Sequence, residues 1–429
     1  MTSKIKIKLA LSIFIIASMI LIYARLVIGG GLAGGDSIQY YSHLQSVAVR
    51  HTLNFDEAFN YFHNTKSKFT GLVKYPDLPD KNPATNKYSM LYPIGTLISW
   101  LPFFLIGHLV ALVVSLFSSN SLLLSGFSRI HYFFTSSSAL FYLLAACYLA
   151  YRYLVKFEKV TSKIAFLSVA TIALGSSLTY YVYFVPTYSH VVSFFWSTCF
   201  LVYSLEAIET KRLSARNFFI IGLLLAMTTL VRYQDILVSL VPLYFFIFSK
   251  DYAVMEKITL SKKLIFTVLA FVLLFVPQLL VNHYLQGSFL QSGYGSGGFL
   301  FLANPQLIYV LFSPLKGLFV ITPVVVVALI GLLYNYKSHL NQAFLLLFAS
   351  QLYLISAWVA YHQGESYGIR MMISLSFVFM LGLVKILTSL NSRKEYLPYL
   401  FSFTFIALNW TLMVLFAFRI FGSPYGAEF

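Results

Sequence analysis

Charge is the scarcest property of this sequence. Asp, Glu, Lys and Arg make up only 10% of its 429 residues, and acids are rarer still, 14 against 30 Lys and Arg, while 59% of the chain is hydrophobic and 18% aromatic. No water-soluble domain hides so much apolar surface behind so few charges, which excludes the soluble classes and leaves a chain that crosses a membrane repeatedly. Cysteine is nearly missing as well. Cys147 and Cys199 each lie inside an apolar run, at no spacing that suits a metal, a redox pair or a disulfide, and read as small packing residues. The shortage of acids leaves a formal net charge of +16. The cations nonetheless fall in short clusters between apolar runs and form no nucleic-acid module, a pattern expected of cytoplasmic loops that face anionic lipids or phosphates. Internal repeats and low-complexity segments are missing too.

What the chain does have is long hydrophobic runs. With roughly 20 apolar residues per span and cationic flanks on alternating sides, it is predicted to be an all-α integral membrane protein of about eleven transmembrane helices, one polytopic domain over residues 1–429. The opening "MTSKIKIKLALSIFIIASMILIYARLVIGG" is too long for a signal core and reads as an uncleaved first helix with its basic end in the cytoplasm. A large first extracytoplasmic loop follows, residues 29–128. Within it, "MLYPIGTLISWLPFFLIGHLVALVVSLF" is long enough to span, but a full crossing would put the "YRYLVKFEKVTSK" flank of the next run outside. The charge rule therefore predicts a re-entrant or surface-lying amphipathic helix opened by Pro93. Helix two starts near Arg129. Further on, "LLLAMTTLVRYQDIL" carries the polar knot "RYQD" at the tip of a membrane hairpin, "NPQLIYVLFSPLKGLF" is expected to lie outside, and a single helix is expected to descend from it to "YNYKSHL".

With that topology, the polar residues that do not belong in lipid gather on the extracytoplasmic side: Asp36, Asp56, Glu57, Lys87, Tyr188, His190, Arg232, Asp235, Lys316, Glu365 and Arg370. Ionisable groups near membrane depth are costly to place and mark candidate sites. Asp36 stands out because five glycines precede it at the edge of the first helix. Each residue also has a plainer reading. Asp36 with Gln39, and Asn54 with Glu57, have the spacing of a helix cap, and Arg232 and Asp235 sit three apart, where they can neutralise one another. His190, after Pro186, reads as a turn residue that reaches water. Tyr40, Tyr41, Tyr180, Tyr181 and Tyr183 read as interfacial anchors, and His43, His51 and His63 match no compact metal motif.

In order along the chain come "GGDS" after the first helix, "YPIGTLISWLPFFLIGH" in the large loop, Arg129 opening helix two, the "VRYQD" hairpin, "FSPLKGLFVITPV" and "WVAYHQGESYGIRMM". That order resembles the GT-C superfamily of membrane glycosyltransferases, particularly the bacterial branch near protein mannosyltransferases and lipid A aminoarabinose transferases. The resemblance implies that Asp36 is the catalytic base and that Arg232, at the hairpin tip, holds the phosphate of a polyprenyl-phosphate sugar. Many members carry two adjacent acids where this chain has Asp36 and Ser37, so Glu57 is the candidate for a second catalytic carboxylate. No cofactor is required, and a divalent cation is left open.

The chemistry suits these residue types. A carboxylate of reference pKa about 3.9 takes the acceptor proton late, as the sugar becomes oxocarbenium-like, while Arg232, Arg370 or Lys87 stabilises the departing phosphate; inversion at the anomeric carbon is expected. His190, Tyr188, Asp235 and Glu365 are then candidates for substrate contact. The implied partners are a polyprenyl-phosphate-linked sugar, membrane lipids and a glycan, lipid or protein acceptor such as lipopolysaccharide, with no nucleic acid. The implied location is the cytoplasmic membrane, with the site facing the periplasm or cell exterior. Two alternatives differ in layout. An O-antigen ligase or polymerase places its large polar loop late in the chain, and a transporter or flippase of lipid-linked sugars needs midplane polar groups in two matching halves.

Overall fold

The computed structural model describes residues 3–28, 32, 34–64, 81–248, 254–291, 293, 298–364 and 366–417. It divides into two compact units: Met1–Tyr142, Tyr181–Ser189 and Gln278–Gly293 form the first, and Leu143–Tyr180, His190–Pro277 and Tyr294–Phe429 the second. Almost all of the described structure is helical. Seven helices are long and apolar enough to cross a membrane, and five apolar helices are shorter. The all-α membrane class expected from composition is present.

In the first unit, α1 (Ser3–Ile28) gives way to the glycine run, and α2 (Gly34–Ala48) starts among those glycines, so Asp36 lies inside its first turn. α3 (Asp56–Asn64) is capped by Asn54, whose Oδ1 accepts from the Asp56 amide at 2.9 Å. A two-stranded hairpin follows, β1 (Lys81–Asn82) and β2 (Lys87–Tyr88), tied to residues 278–293 through Asn82 to Gln286 at 2.8 Å and Thr85 to the Leu285 carbonyl at 2.6 Å. α2 is buried on nearly every side. Tyr41 donates to the Gly126 carbonyl at 2.6 Å, and Gly126 has φ +83° with Gln45 Cγ 2.9 Å from where a Cβ would stand, so only glycine fits there. Tyr40 stacks on Tyr92, and Tyr183 meets Ser18 at 3.0 Å. Tyr40, Tyr41, Tyr181 and Tyr183 are at most 6% exposed, which corrects the expectation that they anchor the protein in the lipid interface. They fill the protein interior, and Tyr41 and Tyr183 spend their hydroxyls there.

The apolar run of the large loop forms α4 (Gly95–Ser115), and its Ile94 amide donates to Gln278 Oε1 at 2.8 Å. α4 runs antiparallel along the first half of α5 (Arg129–Lys156). Tyr142 donates to the Ser99 carbonyl at 2.6 Å, Gly107 approaches Phe134, and His108 Nδ1 lies 3.0 Å from His131 Nε2. A helix lying flat across α5 would touch it at one crossing only. Repeated contacts over several turns give α4 a course alongside α5, and α4 is itself one of the seven helices long and apolar enough to cross a membrane. The reading of residues 29–128 as wholly extracytoplasmic has a direct test at exposed Ser119. In a Cys147→Ala, Cys199→Ala background, Ser119→Cys should react with an impermeant maleimide from outside the cell; labelling from the cytoplasmic side alone would make α4 a full crossing.

His43, on α2, is 1% exposed and stacks on Phe55 with centroids 3.9 Å apart. Burial pushes its pKa down to about 3. The unfolded chain therefore takes up a proton below about pH 6.5 that native His43 refuses until far lower pH, so stability falls as pH drops through that window, by about 1.4 kcal/mol per unit. The thermal midpoint of the purified protein should decline between pH 7 and pH 5, and His43→Phe should make that decline shallower; an unchanged slope would assign it to other groups.

The second unit contains the second half of α5, α6 (Ser162–Gly175), the first half of α7 (Leu178–Tyr183), α8 (His190–Glu209), α9 (Ala215–Val231), α10 (Leu240–Phe248) and most of α11 (Val254–Gln286). Then come α12 (Leu307–Phe312), α13 (Leu318–Ile321), α14 (Val324–Tyr334), α15 (His339–Ala357), α16 (Ser376–Arg393) and α17 (Leu397–Ala417). α16 is the centre, with Phe377, Val378, Met380, Leu383 and Leu387 wholly buried. It crosses α14 so closely that a Cβ on Gly331 would stand 2.0 Å from the Gly382 carbonyl oxygen. The segment 304–319, read from sequence as lying outside, carries α12 and the start of α13, and the helix expected after it is α14; Pro314 and Pro323 each remove a backbone donor and separate the three. Arg152 pairs with Glu206 at 2.7 Å and Lys163 with Glu395 at 3.3 Å, joining helix ends that the charge rule places on one side.

Candidate functional site

Three polar residues of the second unit come together where apolar helices break. α8 starts at His190, just after the "VPTYS" turn, and the ring is 1% exposed. α9 stops at Val231 because Arg232 leaves helical geometry for an extended one, φ −152° and ψ 121°, before the tight turns of 233–239 begin. That break brings Arg232 Nη1 to 3.4 Å from His190 Nδ1. Gly368, at φ +65°, reverses the chain after α15, and Arg370 opens another short turn over 370–375. The positive charges of Arg232 and Arg370 both bear on the His190 ring.

One half-buried guanidinium group thus meets the imidazole, and the charge of a second acts on it, at the start of a 20-residue helix whose first amides carry a partial positive charge of their own. Arginine presents several N–H donors in a flat fork that matches the oxygens of a phosphate or carboxylate. The cluster has the chemistry of an anion site. Asp235, 0% exposed, sets one negative charge beside Arg232, while its Oδ2 accepts from Ser193 Oγ at 2.5 Å. Gln234 and Gln351 both donate to the Met371 carbonyl, at 3.1 and 3.2 Å, and Gln363 accepts from the Met371 amide at 3.1 Å.

Immediately beyond Asp235, Ile236 and Ser239 line a cavity of about 320 Å³ whose other walls include Phe200, Leu225, Leu243 and Leu264. Its only polar wall residues are Ser204, Ser239 and Thr267. A charged anion site thus stands next in sequence to an apolar recess.

The other sequence-derived candidates are placed as follows. Asp36 is half-buried in the first turn of α2. Its neighbour Ser37 is fully buried and bound to Thr187, at 2.8 Å to Oγ1 and 3.1 Å to the carbonyl, so this position works as a clasp where a second acid was sought. Glu57 is exposed and pairs with Arg50, and Asp56 pairs with Lys81 at 2.6 Å, which raises the lysine pKa. Lys87 donates to the Tyr284 carbonyl at 3.2 Å, with Nζ 3.3 Å from that ring centre. Tyr188 packs beside Tyr181 with centroids 5.9 Å apart. Lys316, 6% exposed, donates to the Gly364 carbonyl, and burial together with the Lys316 charge lowers the pKa of half-buried His362. Glu365 lies outside the described residues. Among the described residues, no three His, Cys, Asp or Glu side chains gather as a metal group.

Sequence reasoning picked out His190, Arg232 and Arg370 but missed Ser193, Gln351, Gln363 and Ser374. The available signal was spacing: Ser193 follows His190 by three residues and Ser374 follows Arg370 by four, each a lone polar residue in an apolar run.

No family model matches this chain, and no curated protein does. Among solved structures it is similar to the oligosaccharyltransferase AglB of the archaeon Archaeoglobus fulgidus in complex with an inhibitory peptide and a dolichol-phosphate, at 11% identity and a TM-score of 0.48, over 96% of this chain and 56% of that one. A second structure, of the Archaeoglobus fulgidus oligosaccharyltransferase in complex with zinc and sulfate, is similar at 12% identity and a TM-score of 0.45, over 94% and 52%. The chain spans about half the length of the structures it matches.

Proposed function

We propose that this chain is an integral-membrane glycosyltransferase that moves a sugar from a polyprenyl-phosphate carrier to a hydroxyl acceptor on the extracytoplasmic face. The observation that carries the reading is the approach of Arg232 to His190, with the charge of Arg370 acting on the same ring and an apolar cavity lined by Ile236 and Ser239 next in sequence. A lipid phosphate sugar has these two halves, an anionic head and a greasy tail. The arginines would hold the phosphate and stabilise its charge as the bond from sugar C1 to phosphate oxygen breaks. A phosphate leaves as a stable anion and needs no general acid.

Asp36 is proposed as the base that takes the acceptor hydroxyl proton, so the acceptor oxygen attacks C1 from the face opposite the phosphate and the anomeric configuration inverts. Glu57, committed to Arg50, and Lys87, committed to Tyr284, are weaker candidates for direct roles. Incubation of the purified protein with radiolabelled polyprenyl-phosphate sugars and a lipid extract tests the reading. Asp36→Asn should keep the fold and donor binding while losing roughly 10²-fold or more in turnover, the usual scale for removing a general base. Normal turnover would reduce Asp36 to a first-turn acid that stabilises α2.

The anion site has its own test. Arg232→Ala should weaken donor use, Arg232→Lys should recover part of it, and Arg232→Ala with Asp235→Ala should stay inactive, because the phosphate has lost its partner. Had Arg232 served only to neutralise Asp235, removing both would restore much of what either single change costs. A folded double variant that uses the donor as the parent does would take Arg232 out of the site.

A further inference from the structure

The proposed chemistry uses His190, Arg232 and Arg370 but gives Asp235 no task. A carboxylate at 0% exposure in an apolar bundle is expensive to bury, and one facing a phosphate would repel it. Its surroundings supply a different reason for its presence. Asp235 follows Arg232 by three residues, and the Ser193 that donates to it at 2.5 Å follows His190 by three, one turn further along α8. Ser374 and Gln351 lie beside the same carboxylate, and Ser374 follows Arg370 by four residues in the 370–375 turn. Gln351 donates to Ser374 Oγ at 3.5 Å and to the Met371 carbonyl at 3.2 Å, next to Arg370. Each segment that contributes one of the three groups therefore reaches, about one turn away, a single buried carboxyl group, with Ser193 making the direct hydrogen bond.

We propose that Asp235 is a positioning residue: a buried tether that fixes the spacing of His190, Arg232 and Arg370 before the ligand arrives, without touching the ligand. The inference rests on the phosphate reading of that site and replaces the substrate contact expected of Asp235 from sequence. Donors held in place in advance need not reorganise when charge develops, so the tether acts on affinity for the charged head alone. A merely structural role would affect the whole protein.

The two roles differ in the sign of one measurement. If Asp235 faced the phosphate, removing its charge would relieve repulsion and tighten binding; as a tether, its removal loosens binding. With the purified full chain in detergent, farnesyl phosphate is the probe and farnesol the uncharged control. Asp235→Asn should weaken farnesyl phosphate binding about tenfold and leave farnesol binding unchanged. Ser193→Ala and Ser374→Ala should act in the same direction to a smaller extent. Ser193→Ala, which removes only a hydroxyl, carries the test if Asp235→Asn does not fold. Unchanged or tighter phosphate binding in these variants, with the parent still preferring farnesyl phosphate to farnesol, overturns the tether alone. A parent that binds the two lipids equally overturns the phosphate reading and the tether with it.

Discussion

A helix that stops inside an apolar stretch leaves carbonyl and amide groups with no water to take them, and the second unit depends on how those groups are satisfied. After α6 stops at Gly175, the side-chain amide of Asn409 donates to the Leu174 and Ser176 carbonyls, both at 3.0 Å. After α15, the backbone of Met371 is held on its carbonyl by Gln234 and Gln351 and on its amide by Gln363, while Lys316 takes the Gly364 carbonyl. These polar side chains look out of place in a chain this poor in charge. They are what allows the helices to be interrupted at all.

The interruptions create the chemistry. A continuous α9 would carry Arg232 on the helical path, one turn beyond Thr228, with its guanidinium directed by helix geometry alone. Because Arg232 is extended, the chain turns and the guanidinium approaches the first residue of α8. The same holds for Arg370, which opens a short turn after a glycine of positive φ. Both cations therefore stand at helix breaks, where backbone and side chain are fixed together. A buried or half-buried charge costs several kcal/mol unless it is matched, and the Asp235 carboxylate beside Arg232 is part of that match.

Much of this was legible in the sequence, for physical reasons that differ by element. Composition and run length dictate a helical membrane protein, since no other arrangement hides 59% hydrophobic residues behind so few charges. "RYQD" showed as a break because four polar residues cannot continue an apolar span unnoticed. The breaks that separate α12, α13 and α14 are written in the sequence as Pro314 and Pro323, although a hydropathy reading averages over such positions. The tyrosines misled for the opposite reason. An amphipathic ring suits a lipid interface and a protein interior equally well, and only the presence of a partner such as the Gly126 carbonyl for Tyr41 decides between them. Ser193 and Ser374 were invisible as site residues, because a lone serine in an apolar helix most often bonds its own preceding turn.

Ser37 shows what a departure from a family pattern can mean. Read as a missing acid, it leaves the site one carboxylate short, and Glu57 was the natural substitute. The structure gives Ser37 another task. Buried and bonded twice to Thr187, it fixes the start of α2 to the segment 181–189, which is also held by Arg25 through the Phe184 carbonyl at 3.0 Å. An aspartate at that position would have to bury a charge against a carbonyl oxygen, which repels it. The neighbouring Asp36, half-buried at the first turn of the same helix, therefore has no second acid beside it in sequence, and the position next to it is spent on holding that turn in place.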